Sequence, residues 1–189
     1  MNKDFIIVLG PQGSGKSTQA KLLAESLKYR FISTGQLVRD LSSSLDPKRF
    51  EFEKYWKNGA LIPDDMIEEL LFKEIKNEEA LGFILDGYPR NITQLKSFLN
   101  FLKENECAIS KVFYVYVSDN ECLKRIKIRV TLENRADETE EAISKRLAIY
   151  HNETEPLLEE YRKLEILLQI DGERSIEDIQ ADIQKHFNS

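Results

Sequence analysis

Cysteine is scarce in this chain: Cys107 and Cys122 are the only two in 189 residues. Cys107 falls near a predicted helix end and Cys122 inside a predicted helix, so neither belongs to a disulfide framework, and the expected setting is reducing and cytoplasmic. Histidine is equally sparse. His151 and His186 lie in helical patterns and read as surface or packed side chains rather than metal ligands. No apolar run approaches the ~20 residues that cross a bilayer, and the N-terminus shows no signal-peptide core beyond one short strand, so neither a membrane span nor a secretory leader is expected. A basic excess is missing too. Lys and Arg number 27 against 33 Asp and Glu, a formal net charge of −6, which argues against a generic nucleic-acid binder. Internal repeats, low-complexity tracts and linkers are absent. One domain over 1–189, with ample chain for a core, is the expectation.

What is present is more specific. Residues 10–17 read GPQGSGKS, a full match to the phosphate-loop pattern GxxxxGK[ST]. The segment follows an apolar run at 5–9 and opens a helical stretch. Glycines let backbone N–H groups converge on a phosphate, Lys16 can reach the β- and γ-phosphates, and the helix N-terminus adds its positive dipole end. A ligand-free Gly-rich turn is the bland alternative, and the motif together with its strand-to-helix context argues against it.

Apolar runs at 5–9, 29–32, 82–85, 112–117 and 166–170 predict five strands, several of them continuous rather than alternating, as in a parallel sheet covered on both faces. Helices are predicted at 15–28, 34–43, 47–57, 64–78, 91–105, 119–130, 138–152, 154–164 and 175–187. The last should place Ile176, Ile179, Ile183 and Phe187 on one packing face behind a capping box of Ser175 and Asp178. The alternation predicts an α/β doubly wound sheet with ligands at the strand C-terminal ends. Two interruptions, one from Thr34 to about Glu69 and a short polar one from Thr131 to Ala136, are expected above the sheet beside the phosphate loop.

Asp86 ends a buried strand and runs into Gly87-Tyr88-Pro89-Arg90, where an acid can hold magnesium or its waters. Arg39, Arg90, Arg125, Arg129, Arg135 and Arg146 fall near loops. Each alone reads as a solvated cation; together they suit the charge stabilisation that phosphoryl transfer requires.

Four strings, GPQGSGKSTQ at 10–19, STGQLVR at 33–39, DGYPR at 86–90 with Gln94 after it, and RADE at 135–138, resemble the adenylate kinases of the nucleoside monophosphate kinase family. The resemblance runs from about residue 5 to the C-terminus, and DGYPR is its most specific element. It implies a P-loop fold with a helical monophosphate-binding insert at 34–63, a short lid at 130–136, and reversible phosphoryl transfer from ATP to AMP giving two ADP. By the same resemblance Gly13, Ser14, Gly15, Lys16, Ser17 and Thr18 hold the ATP phosphates, and Arg125 stacks on the ATP adenine. Thr34, Gly35, Arg39, Ala60, Leu61, Ile62, Gly87, Arg90 and Gln94 line the AMP pocket, with Arg39 and Arg90 on its phosphate and Gln94 on the adenine edge. Lys16, Arg90, Arg129, Arg135 and Arg146 stabilise the transferring group, Asp137 supports the lid arginines, and Ser17 with Asp86 holds Mg2+ directly or through water. The expected partners are ATP, AMP and ADP, with no nucleic acid or membrane, and a monomer is expected. The lid between Arg129 and Arg135 contains neither Cys nor His, so no zinc is expected.

Three departures from the family pattern bear on the metal and the lid. Ser17 replaces a glycine, Gln36 an aspartate that would add charge near the metal, and Glu138 the second aspartate of the lid pair. Two alternatives stay open. One is a pyrimidine monophosphate kinase, opposed by Thr34 and by the Asn91-Ile92-Thr93-Gln94 string; the other is a nucleotide-sensing module with vestigial catalysis, opposed by Lys16, Asp86, Arg90, Arg135 and Arg146.

Overall fold

The computed structural model describes residues 3–56, 62–133 and 140–187. The elements run β1 (Asp4–Leu9), α1 (Lys16–Leu27), β2 (Arg30–Ser33), α2 (Thr34–Ser43), α3 (Arg49–Trp56), α4 (Asp64–Asn77), β3 (Gly82–Asp86), α5 (Ile92–Glu104), β4 (Ala108–Tyr116) and α6 (Asp119–Glu133). They continue with α7 (Glu140–Ile149), a π-turn (Tyr150–Thr154), α8 (Leu157–Lys163), β5 (Leu167–Asp171) and α9 (Ile176–Lys185). All five strands are parallel in the order β2-β3-β1-β4-β5. Every carboxyl end therefore lies on one edge, and β1, at the centre, sits where the crossovers change direction. Ligands bind α/β sheets at such a switch point.

The sheet is apolar on both faces because helices cover both. Phe5, Ile7 and Leu9 of β1 point into one core with Phe83, Leu85, Phe98 and Leu71, beneath α4, α5 and α8. Ile6 and Val8 point the other way, into a second core with Ala20, Leu23, Ile179 and Ile183 of α1 and α9. The first core is held by rings: Phe5 stacks on Phe83 at 5.0 Å, and Phe98 meets Tyr88 edge-on at 5.4 Å. Such pairs add about 0.5–1.5 kcal/mol beyond their buried area. They also fix the strand–helix corner that carries residues 86–90.

All five strands expected from the sequence form. β4 starts at Ala108, earlier than the apolar run suggests. Its first residues pair with Asp4 and Phe5 across a register shift that leaves Ser110 unmatched, so the polar Ser110 and Lys111 belong to the strand although they break its pattern. α6 runs through Glu133, past the expected end at 130, with the Thr131 hydroxyl donating to the Lys127 carbonyl at 3.1 Å in the last turns. The expected helices at 138–152 and 154–164 are joined by the π-turn, closed by Glu155 N–H donating to the Tyr150 carbonyl at 2.9 Å. On α9, Ile179 and Ile183 are buried and the Ser175 side chain caps Asp178 N–H, but Ile176 is 50% exposed, so the expected stripe is narrower than drawn. The helical insert after Thr34 forms as α2 and α3, where Val38 and Phe52 are buried. Residues 57–61 and 134–139, including 134–136 of the expected lid, lie outside the described residues, while 130–133 of that lid form the end of α6. Among the described residues, no helix is long and apolar enough to cross a membrane.

His151 ties the π-turn to α6. Its Nδ1 lies 2.7 Å from Glu155 Oε2 and its Nε2 3.2 Å from both Asp119 carboxylate oxygens. The hydrogen bond to Glu155 raises its pKa above the ordinary 6.5, with Asp119 adding to the shift and partial burial opposing it. A raised folded-state pKa contributes stability that is fully present below pH 6.5 and lost as pH rises through the folded value. With a half-exposed ring the effect is small, about 0.5 kcal/mol. Urea denaturation from below pH 6.5 into mildly alkaline solution should therefore show a steeper loss of stability in the wild type than in His151→Gln. Equal slopes would contradict this linkage.

Candidate active site

The loop after β1 turns sharply enough that only glycine fits at its centre. Gly13 has φ 87°, and a Cβ there would stand 2.7 Å from the Cys122 carbonyl oxygen of α6. The chain then enters α1 with Gly15 as its N-cap, no capping side chain and no acidic residue in the first turn. Backbone N–H groups and the positive helix end are thus left for an anion. Lys16 Nζ donates to the Pro11 carbonyl at 3.2 Å within the same loop. Ser14 is fully buried beneath the turn, whereas Ser17 and Thr18 are exposed on the first turn of α1.

β3 lies beside β1 with Val8 opposite Asp86, which brings the Asp86 carboxylate under the loop. Ser17 Oγ donates to Asp86 Oδ2 at 2.6 Å. Asp86 is 4% exposed, and its Oδ1 is buried with no hydrogen-bond partner. A buried carboxylate oxygen without a donor is costly unless something positive meets it. A hydroxyl and a carboxylate are hard oxygen ligands of the kind Mg2+ takes, so this pair fits that ion.

The chain leaves β3 through Gly87, φ 79°, where a Cβ would lie 3.1 Å from both Arg90 Nη2 and Thr34 Oγ1. The Gly87 carbonyl accepts from Thr34 Oγ1 at 2.8 Å and from Arg90 Nε at 2.8 Å, joining the start of α2 to Arg90. A cis peptide links Tyr88 to Pro89. Burial lowers the Arg90 pKa, the Asp86 charge opposes that shift, and Arg146 adds to it, so the two guanidinium groups share one electrostatic environment with Asp86. Arginine remains protonated there regardless.

Arg90 is framed on its backbone as well. Its N–H donates to Gln94 Oε1 at 2.7 Å, and its carbonyl accepts from Thr154 Oγ1 of the π-turn at 2.8 Å. Gln94 is 3% exposed, so it is a buried residue of the first turns of α5 and not a surface side chain. Its Nε2 donates to Asp64 Oδ1 at 2.7 Å. Asn91 caps α5 by accepting from Gln94 N–H at 2.8 Å, and its Nδ2 lies 3.2 Å from both Asp64 carboxylate oxygens.

At the head of α2, no side chain caps the helix and no acid lies in the first turn. Gly35 sits under the Arg39 guanidinium, with a Cβ there 3.4 Å from Nη1. Arg39 Nη2 donates to Gln36 Oε1 at 2.9 Å, and Gln36 Nε2 to Asp40 at 2.7 Å, so Gln36 orients an arginine. Arg125 of α6 donates from Nε to Glu121 at 2.9 Å and from Nη1 to the Gly172 carbonyl at 2.9 Å and, more loosely, the Ser14 carbonyl at 3.5 Å. Ile62 packs, partly buried, against the first core.

The structure therefore brings Gly13, Ser14, Gly15, Lys16, Ser17, Asp86, Gly87, Thr34, Arg90, Gln94 and Arg146 to one edge of the sheet. The Arg129 side chain and residues Ala60, Leu61, Arg135 and Asp137 lie outside the described residues. Asp64, Asn91 and Thr154 were missed from the sequence. Asp64 reads there only as a helix start, and nothing local shows that it meets Gln94.

A family model described as adenylate kinase matches residues 8–166. The chain is 37% identical over 175 residues to an adenylate kinase from Micrococcus luteus, covering 92% of this chain and 85% of that one. It is 36% identical over 186 residues to the enzyme from Prochlorococcus marinus, covering 97% and 98%. To the adenylate kinase from Thermus thermophilus it is 36% identical over 179 residues, covering 95% and 94%.

Proposed function

This chain belongs to the adenylate kinase family, and on that premise we propose that it assigns its two nucleotides to the two halves of the edge described above. The reaction is reversible phosphoryl transfer from ATP to AMP. An oxygen of the AMP phosphate attacks the γ-phosphorus, the bond from that phosphorus to the β,γ-bridging oxygen breaks, and two ADP result. The pyrimidine-kinase and vestigial-sensor readings are not favoured. The observation that carries our assignment is the Gly87 carbonyl, which ties Thr34 of the insert to Arg90 beside the Ser17–Asp86 pair.

On the donor side, residues 10–18 wrap the ATP phosphates, Lys16 balances charge on them, and Arg125 offers its face to the adenine. On the acceptor side, residues 34–63 form the monophosphate-binding insert. There Thr34, Gly35, Arg39 and Arg90 receive the AMP phosphate, and Gln94 meets the base, with 60–62 along the wall. Arg146 lies at the junction of the two halves through its effect on Arg90. Arg129 and Arg135 close from the lid at 130–136, with Asp137 in support. Enzymes of this family work with Mg2+ and nucleotide. Ser17 and Asp86 would hold the ion, which neutralises phosphate charge when bound. We place the protein in the cytoplasm as a monomer, the cytoplasmic reading being supported by its two free thiols.

A coupled assay of ADP formed from ATP with each nucleoside monophosphate tests the acceptor assignment. AMP should exceed CMP, UMP and GMP by at least ~100-fold in kcat/KM, about 2.7 kcal/mol. UMP or CMP as the better acceptor would replace the adenine reading with a pyrimidine one.

A further inference from the structure

Gln94 is held between two partners of opposite kind. On one side stands the Arg90 backbone N–H, which can only donate; on the other stands the Asp64 carboxylate, which when ionised can only accept. A primary amide can ordinarily turn end for end at little cost, because each end finds water. Here the turn would put an NH2 against an N–H and a carbonyl against a carboxylate, two repulsive contacts within a buried site. The amide therefore has one orientation. Asp64 applies the same logic to Asn91, whose Nδ2 faces both carboxylate oxygens while its Oδ1 caps α5.

These bonds use one lone pair of Oε1 and one hydrogen of Nε2. One lone pair and one N–H remain, in a fixed order. A 6-amino purine presents a ring-nitrogen acceptor beside an amino donor and matches that order. A 6-oxo purine presents an N–H donor beside a carbonyl acceptor, which is the reverse. We propose that Asp64 is a specificity-determining positioning residue: by locking the Gln94 amide, it makes the acceptor site select 6-amino over 6-oxo purine monophosphates. The inference rests on the reading above that Gln94 meets the base of the acceptor nucleotide. Asp64 itself does not touch the nucleotide. It acts from the first turn of α4, thirty residues earlier in sequence than Gln94.

The test compares AMP with IMP as acceptors, since IMP reverses the hydrogen-bonding order at ring position 6 without adding the 2-amino group of GMP. The wild type should favour AMP by at least ~100-fold in kcat/KM. Asp64→Asn can turn either end toward Gln94, so the AMP/IMP ratio should fall by ~10-fold or more. The fall should come through the AMP KM, with the ATP KM and the saturated kcat within about twofold of wild type. Asp64→Glu, which remains acceptor-only, should keep more of the ratio than Asp64→Asn. If Asp64→Asn fails to fold, Asp64→Ser carries the same expectation, because a hydroxyl also donates or accepts. Gln94→Ala separates the two levels of the argument. If it collapses the ratio while Asp64→Asn leaves it intact, Gln94 reads the base but the lock is overturned. If Gln94→Ala leaves the ratio unchanged, the reading of Gln94 and the lock fall together.

Discussion

Replacement of Lys16 by methionine is expected to lower kcat by at least ~10²–10³-fold, about 2.7–4 kcal/mol, the usual loss when one preorganised contact to developing charge is removed. The side chain follows Gly15, the N-cap of α1, so its ammonium adds to a helix end that is already positive. Methionine keeps the length and the apolar stem, so the loop should fold unchanged. That separation of effects is available because the turn is specified by backbone demands rather than by Lys16. Gly13 must hold a positive φ beneath α6, and Ser14 N–H closes on the Pro11 carbonyl at 3.2 Å. Thermal unfolding of Lys16→Met should match wild type, while single-turnover transfer is severely slowed. Near-normal turnover would remove the phosphate-loop assignment, whatever the family resemblance.

The contrast between this loop and Gln94 explains how far the sequence could be read. The phosphate loop is a local object: its glycines, lysine and hydroxyl are contiguous, and each is required by a conformation or a charge within a few residues. The five strands were legible for a related reason, since a parallel sheet covered on both faces leaves runs such as Phe5, Ile6, Ile7, Val8 and Leu9 with no polar member. Where pairing rather than apolarity decides, the reading fell short. Lys111 belongs to β4 because Ile6 of β1 is its ladder partner, and Ser110 is carried in the strand as the unmatched residue at the register shift, neither because of its own character. The π-turn is similar: a helical pattern shows no difference between a wide turn and an ordinary one, yet the wide turn carries Thr154 to the Arg90 carbonyl. Asp64 lay furthest out of reach. Its partners Asn91 and Gln94 arrive only when the crossover through β3 returns α5 against α4.

Arg90 is where these local and distant determinants meet, and Arg90→Lys should show it. On the proposed assignment, arginine here has two tasks. Its Nε donates to the Gly87 carbonyl, which fixes the side chain against the insert, and its terminal nitrogens remain to face a phosphate. A guanidinium can do both because its donors are spread over a rigid fork; an ammonium is a single point that must choose. The charge is retained, so Asp86 keeps a cationic neighbour and the fold should survive. What is lost is the paired geometry at the acceptor phosphate. kcat/KM for AMP should fall by ~10²–10³-fold, about 2.7–4 kcal/mol, as when a positioned donor is removed from a transition state. The KM for ATP should change little, because the Lys16 loop is intact. Steady-state kinetics with each substrate varied in turn separates these terms. An AMP kcat/KM within a few-fold of wild type would mean that charge alone suffices at this position, and that the bond from Nε to Gly87 serves the turn after β3 rather than the nucleotide.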